Sequence, residues 1–206
     1  MNKQKLLLIG SGGHANSCID VIEQEGKFAI AGLVGHSNQV GSRHFGYEVV
    51  GSDADLESLF VEFKFAIVTI GQIESAESRI RLYNQIKSIG FKVPSIKSKS
   101  AYVSDHAKIG DGTIVMHDAI INSGSVIGSN CIINTRSLIE HDVKVSDHCH
   151  VSTGLVVNGG VQIGSGTFIG SRSVIRDNLF IGDECLVGMG TILLHDLQSQ
   201  TKIVNK

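Results

Sequence analysis

Residues 101–196 read AYVSDH AKIGDG TIVMHD AIINSG SVIGSN CIINTR SLIEHD VKVSDH CHVSTG LVVNGG VQIGSG TFIGSR SVIRDN LFIGDE CLVGMG TILLHD, sixteen hexapeptides in one unbroken phase. The third position is always aliphatic: Val103, Ile109, Val115, Ile121, Ile127, Ile133, Ile139, Val145, Val151, Val157, Ile163, Ile169, Ile175, Ile181, Val187 and Leu193. The first position is mostly small, as at Ala101, Ala107, Ala119, Ser125, Cys131, Ser137, Cys149 and Ser173, and glycine often follows the aliphatic residue. This period predicts a parallel β-helix, a solenoid of short strands and turns. Three hexads close one triangular coil, so residues 18 apart stack at the ~4.8 Å spacing of paired strands. The aliphatic column fills the prism, and the small residues fit its corners. No long loop interrupts the phase.

Upstream the pattern changes. Residues 5–9 form an apolar run that ends in Gly10-Ser11-Gly12-Gly13-His14, and Ala15, Cys18, Ile19 and Ile22 then share one helix face. Residues 28–34 and 65–70 read as further strands, and residues 75–89 as a helix with Ile80, Tyr83 and Ile86 on its stripe, closed by Gly90. These alternations predict an α/β module with a parallel, Rossmann-like sheet. The expected organisation is a module over 1–97, a β-helix over 98–196 and a tail over 197–206.

The balance of 18 Lys and Arg against 20 Asp and Glu, with no Trp, offers little to a nucleic acid or an anionic membrane. The apolar start is too short for a signal peptide or a membrane span, so a cytoplasmic protein is expected. Cys131, Cys149 and Cys185 fall in one column by their spacing of 18 and 36, and read as reduced corner fillers. They match no zinc knuckle, and no metal is expected.

A strand leading through glycines into a helix offers backbone N–H groups and a dipole end to a phosphate. Gly10-x-Gly12-Gly13 lacks the dinucleotide spacing, and Gly35 and His36 stand where a ribose-binding acid would follow the second strand, which argues against hydride transfer. Sugar or nucleotide-sugar binding fits the turn better.

Within the solenoid, Asn134 to Gly160 is the richest stretch in polar chemistry. His141 follows the inward Ile139 by two, which turns it outward, and Glu140 and Asp142 flank it. Either carboxylate could orient the imidazole as a general base requires. Gly159 lies 18 residues on, one coil above, where its N–H would reach a developing oxyanion. His106, His117 and His195 read as surface decoration. His141, His148 and His150 could instead be recruited by zinc at a subunit interface, and a third reading is a non-catalytic scaffold.

The solenoid, the Gly10-Ser11-Gly12-Gly13-His14 turn and Asn134-Thr135…Glu140-His141-Asp142…His150 together resemble the bacterial sugar O- and N-acyltransferases, among them sialic acid O-acetyltransferases and UDP-4-amino-sugar N-acetyltransferases. The resemblance implies a left-handed β-helix, a homotrimer, and acetyl-CoA lying between neighbouring helices. It implies His141 as general base supported by Asp142, with Asn134 shaping the acceptor site and His150 against the acetyl group. The Gly159 amide would lie near the oxyanion, and coenzyme A would pass Ser171 and Met189. The acceptor would rest against Gly12, Gly13, His14, Gly71 and Gln72. The expected activity is acetyl transfer to the amine of a nucleotide-linked 4-amino-sugar, with a sialic acid hydroxyl as the alternative acceptor. Two features depart from the family pattern: Gly35-His36 after the second strand, and a tail without the usual glycine-asparagine-proline stretch.

Overall fold

A computed structural model describes residues 3–204; residues 1–2 of the expected module and 205–206 of the expected tail lie outside the described residues. The first part is a five-stranded sheet in the order β3-β4-β2-β1-β5, comprising β1 (Gln4–Ile9), β2 (Phe28–Gly35), β3 (Arg43–His44), β4 (Tyr47–Ser52) and β5 (Phe65–Val68). All are parallel except β3, which forms a hairpin with β4. Leu6, Leu7, Leu8 and Ile9 are buried on both faces of the sheet, as a covered parallel strand requires. Leu6 and Leu8 face α1 (Gly13–Glu25), while Leu7 and Ile9 face α2 (Leu56–Glu62) and α3 (Glu77–Ile89).

The strand β4 and the helix α2 had no clear signal in the sequence. The stripe on α3 also differs from the expected one: Arg79, Leu82, Tyr83 and Ile86 are its buried residues, and Ile80 is only half-buried.

From Ile96 onward the chain winds as the expected left-handed β-helix. From Ile96 to Leu193 every strand pairs with the one 18 residues away, as Ile120↔Leu138 and Ile132↔His150 show. The ladder begins with Ile96–Lys97 and takes in Lys202–Ile203, which pairs with Leu186–Val187. Val115 through Leu193 form one buried column, and each full burial contributes about 1.5–3 kcal/mol.

The small first-position residues do more than fill corners. Thr113, Ser125, Cys131, Cys149, Thr167 and Ser173 each donate to the carbonyl 15 residues ahead, for example Ser125 Oγ to Glu140 O at 2.7 Å and Cys149 Sγ to Gly164 O at 3.0 Å. A small side chain with a donor satisfies a buried turn carbonyl that alanine would leave unpaired. The cysteines are free thiols.

The three faces differ outside. One is covered by the α/β module: Ile96, Ile114 and Met116 join the α1 core. His117 fastens the same contact, donating from Nε2 to Asp20 at 2.8 Å while Nδ1 accepts from Ser98 Oγ at 2.7 Å; it is a tether between the parts, not decoration. The next face presents Tyr102, Ile120, Leu138, Val156, Val174 and Ile192 outward, with Leu138 and Val156 half-buried and no described element packed over it. The third carries Lys108, Val126, Lys144, Gln162 and Phe180.

Candidate active site

The residues singled out by the sequence fall into two groups. The first sits on the turn that leaves the bare apolar face. Asp142 has a left-handed φ of 60°, a conformation that aspartate tolerates better than most residues. That turn folds its carboxylate back onto the preceding ring, so His141 Nδ1–H donates to Asp142 Oδ2 at 2.9 Å. Of the two flanking acids Asp142 is therefore the partner; Glu140 instead accepts from Asn122 Nδ2 at 3.0 Å. Nδ1 is spent on the carboxylate, which leaves the Nε2 lone pair free as a base. The His141 side chain is 64 % exposed, so a substrate can reach it. Gly159 lies directly above: a Cβ there would stand 2.7 Å from His141 Nε2 and Cε1.

The second group sits where the module meets the solenoid. The sheet order changes direction between β1 and β5, and ligands of open α/β sheets bind outside the strand ends at such a point. Gly12 and Gly13 follow β1 there, and Gly71 follows β5. A Cβ added at Gly12 or Gly13 would meet nothing within 4 Å, so the turn is open outward. No side chain caps α1, and while the Ala15 N–H donates to the Gly12 carbonyl, the N–H groups of Gly13 and His14 are left to an anion. Gly35 is glycine for a local reason: a Cβ would collide with Ser11 Oγ, which donates to Gln39 Oε1 at 2.9 Å.

His14 projects from the start of α1 toward His150, with ring centroids 6.5 Å apart. His150 is buried between Gln72, Asn134 and Phe168. Its Nδ1–H donates to the Gln72 main-chain carbonyl at 2.7 Å, and its Nε2 accepts from Asn134 Nδ2 at 3.1 Å. The Asn134 amide is itself oriented, since Oδ1 accepts from the Thr135 N–H at 2.8 Å. Burial, reinforced by the nearby Arg79 cation, pulls both rings down to about 4; for His14, proximity to His150 adds to the effect. Both are neutral at physiological pH. Gln72 is buried, and its side chain is turned inward to Arg79 and Gly166.

Ser171 pairs with Ser152 at 2.9 Å on the turn that enters the apolar face, and the 75 % exposed Met189 stands one coil above. Asn134, Ser171 and Met189 thus lie along one edge of the apolar face, and His141, Asp142 and Gly159 along the other. His148 joins neither group: its ring meets Tyr83 edge-on at 5.6 Å, and Nδ1 accepts from Asn130 at 2.9 Å. Among the described residues no three His, Cys, Asp or Glu side chains converge on a metal position, and no helix is long and apolar enough to cross a membrane. A cavity of about 800 Å³ lies beyond Gln72, lined in part by Ile73, Ile80, Arg81, Phe168 and Lys202; it contains neither His141 nor the glycine turn.

Both parts of the chain match known domains in the same order. Residues 5–86 match the PglD N-terminal domain, residues 101–141 the bacterial transferase hexapeptide, and residues 160–195 the hexapeptide repeat of succinyl-transferase. The chain thus carries a PglD N-terminal domain followed by hexapeptide repeats, an acyltransferase architecture similar to that of bacterial sugar acetyltransferases. PerB of Caulobacter crescentus, solved with CoA and GDP-perosamine, is 28 % identical with a TM-score of 0.91 over 98 % of this chain and 94 % of its own. The acetyltransferase domain of PglB from Neisseria gonorrhoeae, solved with acetyl coenzyme A, is 26 % identical with a TM-score of 0.90 over 99 % and 97 %. GDP-perosamine N-acetyltransferase of Escherichia coli O157:H7 is 26 % identical over 153 residues; the match takes in 71 % of this chain and 66 % of that relative, just under two thirds of its length.

Two features escaped the sequence reading. The bare apolar face was legible as the second letter of every third hexad. Arg79 left a fainter mark, as a lone cation on the stripe of Ala76, Leu82, Tyr83 and Ile86.

Proposed function

We propose that this acyltransferase moves an acetyl group from acetyl-CoA to the amine of a nucleotide-linked amino sugar, in one direct step with His141 as general base. The observation that carries the reading is His141, held at Nδ1 by Asp142 and placed under Gly159 with Nε2 unoccupied. The amine nitrogen attacks the thioester carbonyl while Nε2 removes its proton. The carbon–sulfur bond then breaks, and the coenzyme A thiolate leaves with that proton. The Gly159 N–H lies near the tetrahedral oxygen, and one such donor is worth about 3–4 kcal/mol in other acyl transfers. No cysteine is placed to form an acyl intermediate, since Cys149 is buried and donates to Gly164.

The open glycine turn at the strand switch point suits a diphosphate, which favours a nucleotide-linked acceptor over free sialic acid. The amine is favoured by the perosamine N-acetyltransferases, whose structures contain CoA and GDP-perosamine. Two of those structures are variants with a histidine replaced by asparagine or alanine.

The site spans two chains of a homotrimer. Tyr102 and Ile192 are 58 % and 70 % exposed at the ends of an apolar column six strands long, a patch that soluble proteins rarely leave bare. With this face turned to a three-fold axis, the edge bearing His141 in one protomer meets the edge bearing Asn134 and Ser171 in its neighbour. Acetyl-CoA would lie in that seam past Met189. Release of free coenzyme A, followed across GDP-, UDP- and dTDP-linked amino sugars and sialic acid, tests the reading. Release dependent on one acceptor is expected. Silence across the panel, with no binding of acetyl-CoA, would overturn it.

A further inference from the structure

Arg79 is 2 % exposed on the inner stripe of α3. No carboxylate is paired with it among the described residues. Its Nη1 donates to Gln72 Oε1 at 2.7 Å and leans toward the His148 carbonyl at 3.5 Å; Nη2 donates to the Asn130 carbonyl; Nε has no hydrogen-bond partner. Burial lowers its pKa to about 10, with the thiols of Cys131, Cys149 and Cys18 opposing, so the group stays charged at neutral pH. A buried cation without a counter-charge costs several kcal/mol. Leucine or methionine would complete the stripe without that cost.

What the cation grips explains its presence. Gln72 is held at both ends of its amide, by Arg79 at Oε1 and by the Gly166 carbonyl, to which Nε2 donates at 2.9 Å. A residue so clamped presents its main-chain carbonyl in one place, and that carbonyl receives His150 Nδ1–H. A carbonyl can only accept, so the proton must sit on Nδ1 and the lone pair on Nε2. Asn134 Nδ2 donates to that lone pair. In the other tautomer two N–H groups would oppose each other, and both contacts would be lost.

We propose that Arg79 is a positioning residue that, through Gln72, fixes the tautomer and orientation of His150 and so sets the polarity of the His150–Asn134 pair. Its bearing on catalysis rests on the acetyl-transfer reading; its bearing on the ring does not. The titratable and charged groups facing His150 are His14 from α1 and Arg79 from α3. Burial and the Arg79 cation disfavour a second proton on the ring, against the Gln72 carbonyl, which favours one, and the net effect is a neutral imidazole.

The test is side-chain ¹⁵N NMR of the full chain, read together with transfer kinetics. In the unsubstituted protein His150 is expected as a single Nδ1–H tautomer that does not titrate between pH 7.5 and 5.5. In Arg79→Met the ring should show tautomer-averaged shifts and begin to titrate in that range. With it kcat should fall roughly tenfold, while KM for acetyl-CoA stays within about threefold. Arg79→Lys, which keeps the charge but not the fork, should restore part of the ring signature. An Nε2–H tautomer in the unsubstituted protein would overturn the proposal. So would an Arg79→Met variant that melts cooperatively and keeps the original ring signature. If Arg79→Met does not fold, Gln72→Met decides, since it keeps the carbonyl but removes both anchors; an unaltered ring there would also overturn it. A protein that shows the ring behaviour but transfers no acetyl group would defeat the acetyl-transfer reading and leave the positioning intact.

Discussion

Gly159→Ala separates catalysis from folding with a single methyl group. The new Cβ would stand 2.7 Å from His141 Nε2, and ordinary contact begins near 3.4 Å, so the ring must retreat by about 0.7 Å. The retreat is cheap for the fold. The ring is exposed, and rotating it off its rotamer costs of order 1 kcal/mol. Replacing glycine by alanine outside the left-handed region returns about 0.4–1 kcal/mol by restricting the unfolded chain. The melting temperature should therefore barely move. Catalysis is less forgiving, because a displacement of this order at a reacting group costs up to ~10²-fold. The Gly159 N–H survives the substitution, so any loss reports the position of the base and not the loss of an oxyanion donor. The assay is thiol release from acetyl-CoA at saturating acceptor, paired with a thermal melt. We expect kcat to fall 10–100-fold with an unchanged melt. Full activity in the alanine variant would show that His141 Nε2 need not sit beneath residue 159, and the base assignment would fall.

Removing the base itself, His141→Ala, should cost roughly 10²–10⁴ in kcat; loss confined to KM for the acceptor would point to binding instead. Protonation of His14 and His150 is disfavoured in the fold, with both held near 4 against 6.5 in a free ring. The unfolded chain thus binds more protons between those values. Stability should be full above pH 6.5 and decline as pH falls toward 4, by up to ~1.4 kcal/mol per pH unit for each ring. Urea melts at pH 7, 6 and 5 measure this, and a midpoint that does not fall would contradict the buried neutral state. Thr167→Val keeps the shape but leaves the Gly182 carbonyl, now accepting at 2.8 Å, without its donor. A loss of about 1–3 kcal/mol is expected, and a neutral result would show that water replaces the hydroxyl. If the proposed homotrimer forms through the bare apolar face, Ile192→Glu should shift sedimentation to the monomer and abolish transfer together. A monomer that retained full activity would refute the shared site.

The solenoid was readable because a parallel β-helix repeats one environment every six residues, and the inward position is the least tolerant of exchange. The same arithmetic placed Gly159 over His141, since the two differ by 18 and nothing between them breaks phase. It could not choose between Glu140 and Asp142, because that depends on the left-handed turn at Asp142, which sends one carboxylate back onto the ring and leaves the other to Asn122. The module offers no such rule. Arg79 reaches Asn130 across 51 residues and Gln72 reaches Gly166 across 94, and neither spacing follows from a period. Contacts between two differently built parts are set by docking, and docking leaves only indirect traces, such as a cation where a leucine was due.

Asn134 and His141 are seven residues apart, one more than a hexad, and they fall on successive corners that bound a single face. No coil of one chain can fold those corners together, since the buried aliphatic column, including Ile139, lies between them. Their chemistry can combine only if the edge of one protomer meets the opposite edge of another. The face they bound is also the one whose outward positions are aliphatic or tyrosine in all six strands, from Tyr102 to Ile192. The pattern that leaves each half of the site incomplete therefore also supplies the apolar surface that would bring two halves together. Selection on that surface and selection on catalysis would then act on the same contact.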